Sequence, residues 1–446
     1  MIDIYDPETA GQRLLKRQDP GDQTIPLAME ESLQRLFGDP SLPGRKVTPQ
    51  EAVTRILEDV KRQGDAALRR WTATLDGSTP AQFRVPPDEL HEALAALPAD
   101  QRAALEQAAG RVRAFYQRQP LTSWITQELG GTLGQLIRPI QRVGLYVPAG
   151  SAPLPSTVLM SAVPAQVAGV KEIVLVSPPQ RATGRIAPSI LAAAALLGLT
   201  EVYSLGGAQA IGALAYGTQT IPPVDKIFGP GNLFVTLAKR QVFGVVGIDS
   251  LAGPTETAII ADEQARADWV AADLLAQAEH DPLASAILLT PSRPLAEAVQ
   301  VETARQMESL SRSEIIVASL QGRGGIVLTR DLAQAFELAN RYAPEHLCLS
   351  VADPWRWVDR VTSAGGVFLG EHSFEVLGDY VAGPSHVMPT GGSARFGSPL
   401  NVWDFVKVIS LIGLDAQTAS QIAPAAAVIA TAEGLDGHAQ AARRRL

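Results

Sequence analysis

The sequence predicts an α/β protein with two Rossmann-like but incomplete parallel-sheet domains, a helical N-terminal arm and a small C-terminal helical tail domain. From residue 143, short β-branched runs alternate with Ala-rich helical stretches, and turns rich in Gly and Pro close the runs. Strands separated by one helix length form right-handed crossovers, and therefore a parallel sheet covered on both faces. At 446 residues the chain exceeds what one hydrophobic core supports, so more than one domain is expected.

The first 130 residues are predicted to be helical. Apolar residues recur there at three- and four-residue spacing, which is typical of amphipathic helices. Two such helices are predicted over 49–71 and 88–118, with Thr48 and Asp88 as their N-caps.

The two α/β patterns follow in order. The first, over about 142–249, predicts strands at 143–147, 172–177, 201–205 and 226–228. The second predicts strands at 257–261, 285–289, 314–317, 325–328 and 347–351, and helices at 265–279, 294–310 and 331–341. The tail from Ser398 holds a few helical segments and is too small for its own core. We therefore expect it to pack against something else, and a partner subunit is the hypothesis.

Composition and charge exclude several classes of protein. A formal charge of -8 argues against a nucleic-acid binder, which needs a basic face. The apolar stretches are too short to span a bilayer, and the first residues lack the layout of a signal peptide. The single cysteine, Cys348, excludes an internal disulfide and fits a reducing compartment. We expect a cytoplasmic protein that binds neither nucleic acid nor membrane.

The histidines give the main indication of function. Five of the six lie in the last 170 or so residues, and four of these lie beside or near carboxylates, in the segments 277–281, 343–346, 378–386 and 433–438. Imidazole titrates near neutrality and is the commonest metal ligand. The pattern predicts one site built from four distant segments, with metal-supported proton transfer as its chemistry.

Each segment also has a plainer interpretation. Gln277 and His280 lie three apart on one face of a predicted helix, as metal ligands or as a polar helix edge. Glu345 and His346 are two bases of different strength, or a solvated turn. In the Gly- and Pro-rich loop that follows, Asp379 is a candidate ligand or an Asx-turn residue. The same loop makes His386 a candidate substrate contact, whereas His91 and His372 are expected to be structural or solvated.

Three turns of the first α/β unit are candidates for holding a cofactor. They span 146–150, 206–210 and 229–232, and each follows a predicted strand. Ligands of open parallel sheets bind beyond the carboxyl ends of the strands. None of the turns has the Gly-x-Gly-x-x-Gly fingerprint, so spacing alone supports a nucleotide only weakly.

In this order, the segments closely resemble the histidinol dehydrogenase family from about residue 30 onward. The motifs that carry the resemblance are VGLYVP (143–148), GGAQAI (206–211), GPGN (229–232), QAEHD (277–281), APEHL (343–347), GDY (378–380) and AEGLDGH (432–438).

The resemblance implies a site shared between two subunits of a homodimer. Gln277, His280, Asp379 and the neighbouring subunit's His438 would bind one Zn²⁺ per subunit and, through it, the substrate L-histidinol. Thr255, His346, Glu375, His386 and Glu433 would line the rest of the substrate pocket. Tyr146, Gln209 and Asn232 match the positions that hold NAD.

The resemblance also implies a mechanism and a domain plan. His346 would deprotonate the alcohol, and Glu345 would then activate water for the oxidation of the aldehyde to L-histidine. The domain plan has an N-terminal arm (1–25), a discontinuous substrate and metal domain (26–138 and 254–395), an NAD domain (139–253) and a dimerisation tail (396–446).

Some positions depart from the family's commonest pattern, and other functions are considered. The departures are Thr255 for Ser, Ala149 for Gly, Phe374 for Pro and Ser385 for Asn. One alternative keeps the chemistry and oxidises another small alcohol, such as a sulfonated propanediol. A zinc hydrolase and a non-catalytic assembly protein are the others. The NAD-turn residues argue against the hydrolase, and the competent residues at all catalytic positions argue against the assembly protein.

Overall fold

The computed structural model describes residues 2–17, 27–38, 45–78, 80–149 and 153–446. The strands are β1 (Ile4–Tyr5), β2 (Trp124–Thr126), β3 (Thr132–Pro139), β4 (Arg142–Tyr146), β5 (Glu172–Ser177), β6 (Glu201–Ser204), β7 (Lys226–Phe228), β8 (Gly247–Ile248), β9 (Glu256–Ala261), β10 (Ser285–Thr290), β11 (Gly325–Leu328), β12 (His346–Ser350), β13 (Gly366–Leu369) and β14 (Val406–Gly413). The α-helices are α1 (Pro7–Arg13), α2 (Leu27–Phe37), α3 (Pro49–Gln63), α4 (Asp65–Asp76), α5 (Pro87–Ala95), α6 (Ala99–Tyr116), α7 (Pro155–Ala168), α8 (Pro188–Leu196), α9 (Gly207–Tyr216), α10 (Leu233–Val242), α11 (Ala267–Ala278), α12 (Arg293–Met307), α13 (Ser313–Arg323), α14 (Leu332–Tyr342), α15 (Glu375–Tyr380), α16 (Ala416–Ala432) and α17 (Asp436–Arg443).

The first sheet is parallel, with the order β6-β5-β4-β7-β8. Its four predicted strands form within one residue of the predicted bounds. Helices α7 and α8 are apolar nearly all round, which fits helices buried against a sheet and one another. The sheet therefore lies inside a covered core, as its β-branched runs predict.

The helices that precede this sheet pack on it. Thr48 caps α3 in a capping box with Glu51, as predicted, but the predicted helix 49–71 is divided at Gly64, whose φ is 53°. The second predicted helix, 88–118, forms as two helices. Helix α5 begins at Pro87 with Pro86 rather than Asp88 as its N-cap, and α6 begins at Ala99 after Pro98.

Helix α3 packs on a helix of the first sheet, while the predicted domain plan, which groups 26–138 with the second sheet, stays a prediction. The apolar face of α3, including Val53, Ile56 and Val60, shares a core with α9 of the first sheet. Gly212 allows this approach, because a Cβ there would lie 3.1 Å from a Leu57 methyl group.

The second sheet is also parallel, with the order β1-β11-β10-β9-β12-β13. The N-terminal arm supplies its edge strand, where Ile4 pairs with Ile326. The strand predicted at 314–317 is wrong, because these residues lie in α13. Its buried residues Ile316, Ser319 and Leu320 recur at the three- and four-residue spacing of a helix.

The tail was predicted to be helical, but it also contains a strand. Its strand β14 pairs antiparallel with β3 over eight residues, from Val406 opposite Pro139 to Gly413 opposite Thr132. Helices α16 and α17 then pack mainly on each other and leave apolar side chains exposed. No helix among the described residues is long and apolar enough to cross a membrane.

The two parallel sheets meet at opposite ends of their strands. Thr157, in the helix that follows β4, lies beyond the carboxyl end of the first sheet. Its Oγ1 is 3.1 Å from Nε2 of His386, whose loop packs at the amino end of the second sheet. Tyr116 and Ser385 make a second link, since the Ser385 N–H donates to the phenol oxygen over 2.8 Å.

Candidate active site

Glu345 and His346 lie where α14 turns into β12, at the amino end of the second sheet. Ala343 makes this turn with a φ of 51°, a left-handed backbone conformation that residues other than Gly rarely adopt. His346 is the first residue of β12 and pairs with Thr257 of β9. Glu345 precedes the strand, so the alternation of strand side chains does not separate the two bases, and Glu345 Oε2 lies 4.0 Å from His346 Nδ1.

Glu345 is a buried carboxyl group held through one oxygen. Its Oε2 accepts hydrogen bonds from the Thr255 hydroxyl at 2.6 Å and from the Glu256 N–H at 3.1 Å. Burial raises the pKa of Glu345 well above its usual value, and the charges of Glu256 and Glu375 raise it further. A carboxylate in this setting is a strong base, and Oε1 remains for another partner.

His346 is buried with an exposed fraction of 3%, and neither ring nitrogen has a hydrogen-bond partner among the described residues. Its Nδ1 lies 3.6 Å from Oε1 of Glu375 and 4.0 Å from Oε2 of Glu345. Its Nε2 lies 3.8 Å from Oδ1 of Asp379. Burial lowers the pKa of His346, so the ring is neutral near pH 7 and can accept a proton.

Glu375 lies on the Nδ1 side of the His346 ring. Its Oε2 accepts from the Thr257 hydroxyl, and its exposed fraction is 2%. Burial, with the nearby charge of Asp273, raises the pKa of Glu375 to about 8. A protonated carboxyl beside an imidazole nitrogen can orient that ring, so the geometry favours an orienting role over direct lining of a pocket.

Gln277 lies in α11, His280 follows that helix, and Asp379 lies in α15, which packs against α11. Gln277 is fully buried, yet neither side-chain amide atom has a hydrogen-bond partner among the described residues. His280 has an accessible ring, although the surrounding protein lowers its pKa by desolvation and through the charge of His346. Burial raises the pKa of Asp379 to about 6. A buried amide without partners requires explanation in a native fold.

Within the described residues, no group of three or more His, Cys, Asp and Glu side chains is arranged to hold a metal ion. The predicted ligands include only His280 and Asp379 of these types within one chain, because Gln277 is an amide and His438 was expected from a partner. A complete tetrahedral zinc site needs four ligands.

His386 connects the two sheets. Its Nδ1 is 2.7 Å from the Asp379 carbonyl oxygen, and its Nε2 contacts Thr157. Burial lowers the pKa of His386 to about 4. Because both ring nitrogens have partners, the geometry gives His386 a role in holding the C-terminal end of α15, and the predicted substrate contact stays a prediction.

The candidate NAD residues lie beyond the carboxyl ends of the first sheet. The Tyr146 hydroxyl accepts from the Gly207 N–H at 3.2 Å, and Gln209 Nε2 donates to Asp76 at 3.1 Å. Gln209 is fully buried, and its Oε1 has no hydrogen-bond partner among the described residues. Asn232 caps α10 by accepting from two backbone N–H groups. Gly150 of the first predicted turn lies outside the described residues.

A buried ion pair holds the turn that precedes Asn232. Asp249 accepts from the Gly229 N–H at 2.7 Å, and Lys239 donates to the Gly229 carbonyl oxygen at 2.9 Å and to Asp249. Sequence reasoning missed this pair, because both residues lie outside the motif, at spacings that carry no signal of their own.

The comparisons with known proteins agree with one another. A family model described as histidinol dehydrogenase matches residues 44–446. A histidinol dehydrogenase from Deinococcus radiodurans is 53% identical over 424 residues, which cover 95% of each chain. Another from Thermus thermophilus is 53% identical over 393 residues, covering 88% of this chain and 93% of the relative. The chain belongs to the histidinol dehydrogenase family.

A solved structure supports the same family. The crystal structure of histidinol dehydrogenase from Elizabethkingia anophelis matches with a TM-score of 0.89 at 35% identity, and covers 100% of this chain and 98% of that chain. The predicted α/β fold class is confirmed. Membership of the histidinol dehydrogenase family makes the chain an NAD-dependent oxidoreductase, and it does not favour the sulfonated propanediol alternative.

Two residues expected at the histidinol dehydrogenase site are exposed in the single chain. Glu433 ends α16 and His438 lies on α17. Neither makes a hydrogen bond or ion pair with the other candidate site residues in the part of the chain that the structure describes. His91 and His372 are also exposed, as predicted.

Proposed function

We propose that the chain oxidises L-histidinol through L-histidinaldehyde to L-histidine, with one NAD reduced in each of two steps. The observation that carries the proposal is the pair Glu345 and His346. Two bases lie next to each other at one strand end, one a neutral imidazole and the other a carboxyl of raised pKa. A four-electron oxidation needs such a pair, because the groups deprotonated are first an alcohol and then a water.

In the alcohol step, His346 takes the hydroxyl proton while hydride leaves the carbinol carbon for the nicotinamide, which gives the aldehyde. The approach of Glu375 to Nδ1 at 3.6 Å supports Nε2 as the proton-accepting nitrogen. General-base catalysis of this kind contributes about 10²–10⁴-fold.

In the aldehyde step, Glu345 takes a proton from water as the water oxygen bonds to the aldehyde carbon. Hydride then passes from the hydrated carbon to a second NAD, and the acid results. The two hydrogen bonds to Glu345 both involve Oε2, which supports Oε1 as the atom that meets the water. The hydroxyl of Thr255 retains the donor that the family's usual Ser would supply.

We infer that Gln277, His280 and Asp379, with His438 of the partner subunit, hold one Zn²⁺ per subunit. The buried Gln277 amide without partners and the accessible His280 ring support this ligand set. Zinc has no redox chemistry, so it would serve as a Lewis acid that orients the substrate.

We also propose that the tail pairs two copies of the chain and that the enzyme is cytoplasmic. Ile412, Val428 and Ile429 are 78%, 69% and 60% exposed, and a second copy would cover them and bring Glu433 and His438 to the substrate. The single buried Cys348 is consistent with a reducing compartment.

The deciding experiment is the amount of NADH formed when L-histidinol is consumed to completion by purified, zinc-loaded protein. Two NADH per substrate would support both steps. One would mean that the aldehyde escapes before water is activated. None would refute L-histidinol as the substrate, and light scattering of the same sample would test the dimer independently.

A further inference from the structure

The N-terminal arm ends against the turn that carries Glu345. Strand β1 and helix α1 pack on the second sheet, and Leu14 and Leu15 are buried there. Arg17, two residues further on, has a side chain that is only 20% exposed. The family model begins at residue 44, so this arm lies outside the matched region.

Arg17 joins three parts of the second sheet. Its Nη1 pairs with Oε1 of Glu256, which is buried at the start of β9. Its Nε donates to the Tyr342 carbonyl oxygen at 2.9 Å, and its Nη2 donates to the Ala343 carbonyl oxygen at 3.0 Å. The guanidinium also lies over the Tyr342 ring, 3.7 Å from its centroid.

The bonds from Arg17 to the Tyr342 and Ala343 carbonyl oxygens, and its pair with Glu256, both act on the turn that carries Glu345. Tyr342 and Ala343 end α14, where helix carbonyls lack intrahelical partners and a cation is favourable. Ala343 holds the left-handed conformation from which the chain reaches Glu345 two residues later.

The pair between Arg17 and Glu256 reaches Glu345 from the other side, through the first residue of β9. The Glu256 N–H is one of the two donors to Glu345 Oε2, and its carboxylate is fixed by Arg17 and by the Gly391 N–H at 3.2 Å. Arg17 thus holds two segments: the end of α14, which leads to Glu345, and the start of β9, whose Glu256 N–H donates to Glu345.

We propose that Arg17 is a positioning residue for Glu345 and serves the aldehyde step selectively. The inference rests on the proposed function, and it concerns only the segments on either side of Glu345. His346 has further supports that Arg17 does not touch, namely the pairing of β12 with β13 and the approach of Glu375 to its ring. Removal of Arg17 should therefore affect water activation more than alcohol deprotonation.

The test compares Arg17→Met and Arg17→Lys with the parent. Lys16→Met is the matched control, because it removes a positive charge from an exposed position of the same arm. The loss of L-histidinol in rapid-quench samples reports the alcohol step, and NADH formed from supplied L-histidinaldehyde reports the aldehyde step. We expect Arg17→Met to lower kcat for the aldehyde by about 10–100-fold, as a misplaced catalytic group does. KM and the alcohol step should change less than about threefold, Arg17→Lys should recover part of the loss, and Lys16→Met should match the parent.

A double variant separates positioning from general destabilisation. In a Glu345→Gln background there is no base to position, so Arg17→Met should cost little further in the aldehyde step. An additive loss, equal losses in both steps, or no loss at all would each overturn the inference.

If the parent oxidises neither compound, the proposed function fails and the inference is decided by crystallography. Crystal structures of the parent and Arg17→Met would then be compared. Loss of the bond between the Thr255 hydroxyl and Glu345 Oε2 in the variant would support positioning, and an unchanged bond would overturn it.

Discussion

The two parallel sheets share a strand plan but present opposite ends and different chemistry to each other. The first sheet offers the carboxyl ends of its strands, with glycine turns and the uncharged side chains of Tyr146 and Gln209. The second offers amino ends, with the buried titratable groups of Glu345, His346 and Glu375. In the proposed function, one architecture separates cofactor binding by backbone turns from proton transfer by buried side chains.

The difference has a physical origin. Turns after parallel strands expose backbone N–H groups, which bind anionic cofactors without a titrating side chain at the contact. Proton transfer needs groups whose pKa values are shifted from ordinary values, and burial against a covered sheet supplies the shift. The cost is reduced stability around the second site, which can be measured.

The largest expected effect tests the division of labour within the second sheet. His346→Asn should lower the alcohol step by about 10²–10⁴-fold, and Glu345→Gln should lower the aldehyde step by a similar factor, because each removes a general base. Each step is measured separately, with L-histidinol and with L-histidinaldehyde as substrates. Equal losses in both steps for both variants would mean that the two bases are not specialised.

The second prediction concerns the stability cost of Glu375. The pKa of about 8 lies above the ordinary 4.5, so this carboxyl stabilises the fold fully below pH 4.5 and loses that contribution as pH rises through 8. Glu375→Gln keeps an acceptor for Thr257 without the titration. We expect the variant to exceed the parent by about 4 kcal/mol in free energy of unfolding at pH 8 relative to pH 4.

The measurement is urea unfolding of metal-free protein across this pH range. A difference between Glu375→Gln and the parent that does not change with pH would contradict the prediction. It would mean that Glu375 titrates normally and that the second sheet carries no such cost.

The third prediction tests whether the Gly229 turn of the first sheet binds NAD. Gly229 has a φ of 111°, and a Cβ there would collide with the Tyr146 carbonyl oxygen. Gly229→Ala should raise KM for NAD by about tenfold, with a smaller effect on kcat, since about 1.4 kcal/mol of binding is lost. Gly244→Ala is the control, because its φ is 102° but a Cβ there meets nothing within 4 Å. Equal changes in both variants would attribute the effect to backbone strain alone.

How far the sequence predicts each sheet follows from the same contrast. The strands of the first sheet and its turns are local patterns, and they form nearly as predicted. At the second sheet, the bases Glu345 and His346 could be named from their spacing and the resemblance. Glu256, which donates to Glu345, and Arg17, which pairs with Glu256, could not be predicted. An ion pair between residues 239 positions apart leaves no periodic signal in the sequence.

Two elements were misassigned for reasons of tertiary context. The apolar run at 314–317 has β-branched residues, but only Ile316 among its apolar residues is buried, as part of a helical face. The tail strand β14 alternates weakly and is largely exposed, so its pairing with β3 decides its structure.

The smallest expected effect returns to the first sheet and to Asp76, a partly buried carboxyl that accepts a hydrogen bond from the candidate NAD residue Gln209. Burial raises the pKa of Asp76 to about 6, so its contribution to stability is complete below pH 3.8 and is lost as pH rises through 6. Asp76→Asn retains an acceptor for Gln209 and removes the titration. Because Asp76 is partly exposed, we expect the variant to gain only about 1–2 kcal/mol over the parent between pH 4 and pH 8. Exposed Asp88→Asn is the control, and urea unfolding is the measurement. A gain as large as that of Glu375→Gln would mean that the two sheets carry similar costs, and the contrast between binding by turns and catalysis by buried groups would be lost.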